Sequence, residues 1–128
     1  PINAISLNTW HHIAVVRSGS AVNIYVDGVL KKTSTILAVN IGTVSQPFSI
    51  ASVYSNNSYQ FDGYLSNIRL VKGTAVYTSN FSTPPGDLAA IPGTVLLTAQ
   101  NSTIVDNSST GHTLTTTGTV TPTQSQVP

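Results

Sequence analysis

The chain contains no cysteine and no methionine, and its four acidic residues are all aspartate, so glutamate is missing too. Without cysteine there is no disulfide framework, no thiolate zinc site and no cysteine nucleophile. Without glutamate, acid–base chemistry would rest on Asp27, Asp62, Asp87 and Asp106 alone. Two of these precede glycine, Asp87 follows one and Asp106 precedes asparagine. These are turn contexts, where the carboxylate bonds its own backbone. Charge of either sign is scarce: 7% of the 128 residues are charged and the net charge is +1, against roughly a quarter charged in ordinary soluble domains. There is no basic run to follow a phosphate backbone, which argues against nucleic acid. No apolar run approaches the roughly 20 residues of a membrane span.

Ser, Thr, Asn and Gly fill the polar positions instead, around an apolar fraction of 40%. That fraction suffices for one core in a chain of this length. Its distribution is that of an all-β protein. WHHIAVVR, residues 10–17, is a nearly unbroken apolar run and reads as a central strand covered on both faces. Val22, Ile24 and Val26 alternate with Asn23 and Tyr25, which predicts a strand with the first set buried. Asp27-Gly28 follows at once, a strong signal for a tight hairpin into residues 29–33. Further strands are expected at 36–41, at 48–52 after Pro47, and at 61–72, with a bulge between Leu65 and Ile68. Residues 73–81 read as an extended crossing segment that Tyr77 and Phe81 fasten to the sheet. Residues 86–93 read as a linker, 95–99 and 112–120 as a final hairpin, and 121–128 as a tail.

The order of WHHIAVVRSGSAVNIYVDGV, FDGYLSNIRL and AVYTSNFSTPP resembles the second half of a laminin-G-like, concanavalin-A-like lectin domain, with an exit segment of the type seen in phage structural and tail-fibre proteins. The resemblance covers residues 10–85. It implies an antiparallel β-sandwich whose N-terminal half is incomplete here. Residues 1–85 would be the C-terminal half of the sandwich, and 94–120 a hairpin extension or the start of a following module. The missing strands would come from upstream sequence or from a neighbouring subunit. It also implies that His12 is buried and hydrogen-bonded near a core Trp10. His11 and His12, adjacent on a strand, point to opposite faces and do not chelate one ion.

Two sites are expected on this basis. The loop YSNNSYQ gathers Tyr54, Asn56, Asn57, Tyr59 and Gln60, aromatic faces and amides suited to a glycan rim. Laminin-G-like modules often hold Ca²⁺ at a sheet rim, which makes Asp62 the calcium candidate, with Asn56 or Asn57 as oxygen donors. The function so implied is non-catalytic: a virion-surface or extracellular structural or adhesion module. Its partners would be other copies or structural proteins of the same assembly and cell-surface glycans. The alternative is a dedicated carbohydrate-binding module of a secreted bacterial protein. A glycosidase fragment is disfavoured because the paired carboxylates that reaction needs are not in evidence. The sequons at Asn56, Asn80, Asn101 and Asn107 are expected by chance in so Asn-, Ser- and Thr-rich a chain and receive no function.

Overall fold

The computed structural model describes residues 5–36, 47–52 and 59–123. Among these residues there is no helix, and all strand pairing is antiparallel. Three strands, β1 (Ile13–Ser18), β2 (Ala21–Val26) and β3 (Val29–Thr35), form one sheet in chain order. Two more, β4 (Ile68–Val71) and β5 (Thr94–Thr98), form a second. The expected strand at 36–41 lies outside the described residues apart from Ile36.

Local chemistry explains the first sheet. Gly19, at φ +58°, turns β1 into β2, and Ser18 pairs with Ala21. Asp27 and Gly28, at φ +50° and +75°, turn β2 into β3. Positive φ at both central residues is the geometry expected of Asp-Gly between apolar strands. A bulge between Ile24 and Tyr25 leaves Lys31 as the extra residue of β3.

Three expectations for this sheet are corrected. Among the described residues β1 lies at the edge of its sheet and is covered on one face: Val16 is buried while Ile13 and Val15 are 48% and 67% exposed. Tyr25, assigned to the open face, is fully buried, and Ile24 is 36% exposed. The reason lies far along the chain. Phe81 packs edge-on against Tyr25 with ring centroids 5.5 Å apart, covering the face that alternation left to solvent. Trp10 is half-buried rather than central to the core.

The crossing segment is clamped as expected. Tyr77 and Phe81 stack at 3.6 Å and 7°, and His12 meets both rings edge-on. The Phe81 amide donates to the Gly28 carbonyl at 2.9 Å. A Cβ on Gly28 would collide with the Phe81 carbonyl, so this close approach needs glycine. His12 is therefore held by aromatic rings rather than by a bond near Trp10. Its Nδ1 has no partner, and burial lowers its pKa, with Arg69 lowering it further against the opposing pull of Asp27.

The second sheet departs most from expectation. The motif segment is strand over Ile68–Val71 alone. Asn67 breaks it with a left-handed backbone at φ +53°, which asparagine tolerates. The register shift falls between Leu70 and Val71, where Val95 is the extra residue, not between Leu65 and Ile68. Residues 48–52 are not a strand, and Ala51 turns the chain at φ +68°. β5 pairs with β4 rather than with residues 112–120, which form no strand. Residues 86–93, expected as a linker, are bonded back onto β4. The Asn67 side chain donates to Asp87 at 3.0 Å and accepts from the Leu88 amide at 2.9 Å, and Arg69 donates to the Ala89 carbonyl at 2.8 Å.

β5 holds Leu96 and Leu97 at 5% and 3% exposure. Its outer edge is closed by the loop that follows. The Leu97 amide donates to Asp106 Oδ1 at 3.0 Å, and the Leu97 carbonyl accepts from the Asn107 amide at 2.6 Å. The same carboxylate accepts from the amides of Ser108 at 2.9 Å and His112 at 2.8 Å. Burial pushes the Asp106 pKa up, but these three amides outweigh it and hold the carboxyl well below the usual range.

Candidate functional site

Three aromatic side chains stand exposed within six residues: Tyr59 at 86%, Phe61 at 55% and Tyr64 at 57%. The backbone sets them out. Tyr59 takes a left-handed conformation at φ +55°, and the Phe61 amide donates to the Ala51 carbonyl at 2.8 Å, pinning this rim beside residues 47–52. The Phe61 ring folds over Gly63: a Cβ there would come within 2.8 Å of the ring. The Asp-Gly pair at 62–63 thus leaves room for an aromatic ring, whereas at 27–28 it makes a hairpin.

Of the residues assigned to the glycan rim, Tyr59 and Gln60 lie here, both exposed, and Asp62 is exposed between the rings. Tyr54, Asn56 and Asn57 lie outside the described residues. The calcium candidate therefore contributes one carboxylate, and its asparagine donors are not among the described residues. No group of three or more His, Cys, Asp or Glu side chains gathers among the described residues. Phe61 and Tyr64 were read from the sequence as strand residues. Their signal was the lack of alternation from Phe61 to Leu65, which marks irregular backbone with side chains free to face water.

Pro47 and Phe48 also line a groove of about 320 Å³. Phe48, Leu70, Leu96 and Leu114 supply its apolar walls, and His112 and Thr113 its polar groups. Phe48 is 68% exposed. The volume is at the small end of ligand sites. The sequence placed Phe48 in one strand and His112 at the start of another. Only the fold of the 106–112 loop over β5 brings the two together.

The carboxylates are otherwise engaged. Asp27 Oδ2 meets His11 Nδ1 at 2.7 Å and its Oδ1 accepts from the His12 amide at 2.9 Å, which together hold its pKa below the ordinary value. His11 Nε2 in turn lies 2.9 Å from Ser6 Oγ. This Ser–His–Asp chain has the order of a nucleophile relay. However, the Ser6 amide also donates to Nε2 at 3.1 Å and competes for its single lone pair. The chain acts as a clasp that ties the N-terminal segment to the β2–β3 turn.

An all-β fold of antiparallel sheets is the architecture of lectin-type sandwiches. A laminin-G family model, described as the Concanavalin A-like lectin/glucanases superfamily, matches residues 3–76, more than half the chain. The chain belongs to this superfamily. Membership supports a carbohydrate-binding or adhesion-type module in general, a class usually without enzymatic activity. No curated protein and no solved structure gives a significant match. Among the described residues, no helix is long and apolar enough to cross a membrane.

Proposed function

We propose that this chain is a non-catalytic structural or adhesion module of a virion surface or extracellular assembly. It joins other copies or neighbouring structural proteins through its sheet edges and binds glycans at the rim of Tyr59, Phe61 and Tyr64. The observation that carries the reading is the rim itself: three large rings kept in solvent by a left-handed residue and a glycine, with Gln60 and Asp62 between them. Aromatic faces take the apolar faces of sugar rings, and amide and carboxylate oxygens take their hydroxyls. In the calcium reading, Asp62 supplies the carboxylate and Asn56 or Asn57 the neutral oxygens.

The test is retention of the chain on immobilised polysaccharides, with and without a chelator. Tyr59→Ala is expected to abolish retention and leave thermal stability unchanged, because the ring is 86% exposed. Loss of retention in chelator, restored by Ca²⁺ and absent in Asp62→Asn, supports the metal. Unchanged retention by Tyr59→Ala refutes the rim. The alternative, a dedicated carbohydrate-binding module of a secreted bacterial protein, draws its support from the groove between Phe48 and His112. It predicts binding by a chain that does not self-associate.

A further inference from the structure

We infer that Asp62 is a site of spontaneous backbone modification, at which the chain converts its own aspartate to isoaspartate and so takes apart the aromatic rim. The only other reactant is water. The effect on glycan retention rests on the proposed function of the rim; the reaction itself does not.

In an Asp-Gly pair the following amide can close on the carboxyl. The Gly63 nitrogen bonds to Asp62 Cγ, and one carboxyl oxygen leaves as water with the amide proton. The product is a cyclic imide. Water then opens it at either carbonyl. Opening on the Cγ side restores aspartate. Opening on the Cα side leaves the main chain running through Cγ and frees the former backbone carbonyl as a carboxylate. The water lost is regained, and nothing is oxidised or reduced. Two conditions set the rate. The next residue must leave its amide approachable, which glycine does because it has no Cβ. The carboxyl must also be free to turn onto that amide.

The four aspartates differ on both conditions. Asp87 precedes Leu88, whose amide is taken by Asn67 Oδ1 at 2.9 Å, and Asp87 Oδ1 accepts from the Asn67 side chain at 3.0 Å. Asp106 precedes Asn107, whose amide is taken by the Leu97 carbonyl at 2.6 Å. Its carboxylate is held by the amides of Leu97, Ser108 and His112. Asp27 does precede a glycine. Its Oδ2, however, lies 2.7 Å from His11 Nδ1, and its Oδ1 accepts from the His12 amide at 2.9 Å. Turning toward Gly28 would break both bonds, and bonds to an ionised carboxylate are the strong ones.

Asp62 meets both conditions. It and Gly63 are exposed, in irregular backbone between Tyr59 and β4. Among the described residues, no hydrogen bond or ion pair holds the Asp62 carboxylate or the Gly63 amide.

The position of the Phe61 ring makes the change matter. The ring folds over Gly63, within 2.8 Å of where a Cβ would stand. That contact depends on the ordinary spacing of consecutive Cα atoms, about 3.8 Å. Isoaspartate inserts a methylene into the main chain between residues 62 and 63 and moves the carboxylate to the former carbonyl position. Phe61 then loses its seat on Gly63, and Tyr64 shifts relative to Tyr59 and Phe61.

The experiment ages the whole chain at neutral pH in heavy-oxygen water, folded and in urea. Samples are digested in ordinary water, and the peptides are read by electron-transfer mass spectrometry, which separates isoaspartate from aspartate. Heavy oxygen taken up at each site counts the ring openings. Asp62→Glu, whose longer side chain closes such a ring poorly, is aged alongside. Retention on immobilised polysaccharide is measured for each sample against its own fresh chain. The expected result is isoaspartate and label at Asp62, with Asp27 about a hundredfold slower in the folded chain and the two rates converging in urea. Retention falls with age in the native chain and holds its starting value in Asp62→Glu. No isoaspartate at Asp62, or equal rates at Asp62 and Asp27 in the folded chain, overturns the inference. An Asp27 that stays unreactive in urea overturns the protection argued from its bonds to His11 and His12. A modified chain retained as well as the fresh one overturns the effect on the rim. A fresh chain retained on no polysaccharide overturns the rim reading, while the label at Asp62 still decides the reaction.

Discussion

Replacing Asp106 with alanine is expected to cost this fold about 3 kcal/mol, through bonds that lie outside any strand. The carboxylate accepts from three amides, those of Leu97, Ser108 and His112. Leu97 is 3% exposed, so its amide would be left buried without a partner. That penalty is about 1–3 kcal/mol. Ser108, at 9% exposure, is close to the same situation, whereas the exposed His112 amide regains water and adds about 0.5 kcal/mol. For a chain between the small and large domain classes, about 3 kcal/mol lowers the melting temperature by about 10 °C. Asp106→Asn keeps a carbonyl oxygen for Leu97 and Ser108 but turns an amide group toward the His112 N–H, so it should cost about half as much. Thermal and urea melts followed by circular dichroism give the magnitudes, and hydrogen exchange at Leu97 gives the cause. A change of less than about 0.5 kcal/mol in the alanine variant, with Leu97 still slow to exchange, would refute the idea that the 106–112 loop holds β5.

Other consequences are as direct. Gly28→Ala should cost about 3 kcal/mol, since it combines a strained left-handed backbone with a collision against Phe81; Gly19→Ala, also left-handed but facing open space, should cost about 1 kcal/mol, and equal losses in urea melts would argue against the Phe81 clasp. Stability should fall with acid in two stages. His12 has a lowered pKa in the folded chain, so the unfolded chain binds the extra proton first and stability drops as pH falls below the ordinary histidine value of about 6.5. Asp27 and Asp106 are also lowered, so their contribution is complete above the ordinary aspartate value of about 4 and is lost as pH falls through the folded values. A melt that is flat between neutral pH and pH 5 would contradict the partial burial of His12, and Asp106→Asn should remove part of the second stage.

What could be read from the sequence was local. The β1–β2–β3 meander was legible because each link is a short turn: Gly19 supplies one positive φ, and Asp27-Gly28 supplies two. The fastening roles of Tyr77 and Phe81 were legible because two aromatic residues in a segment without alternation need a surface to cover. The antiparallel all-β class was written in the same short-range patterns, and so was Tyr59 as an exposed ring beside asparagines.

Tertiary structure decided the rest, for reasons of sequence distance. β5 follows β4 by more than twenty residues, and nothing in TVLLT distinguishes IRLV as a partner from HTLTTTGTV. Alternation assigned Tyr25 to solvent, and only a ring some fifty residues further on could bury it. The task of Asp106, closing the edge of β5 with one carboxylate, depends on where that strand lies. The same holds for the groove between Phe48 and His112 and for the capping of the edges of β3 and β5. Short-range patterns fix which backbone conformations are cheap. Which edge is covered, and which apolar face remains in water, is fixed only when distant segments compete for the same hydrogen bonds.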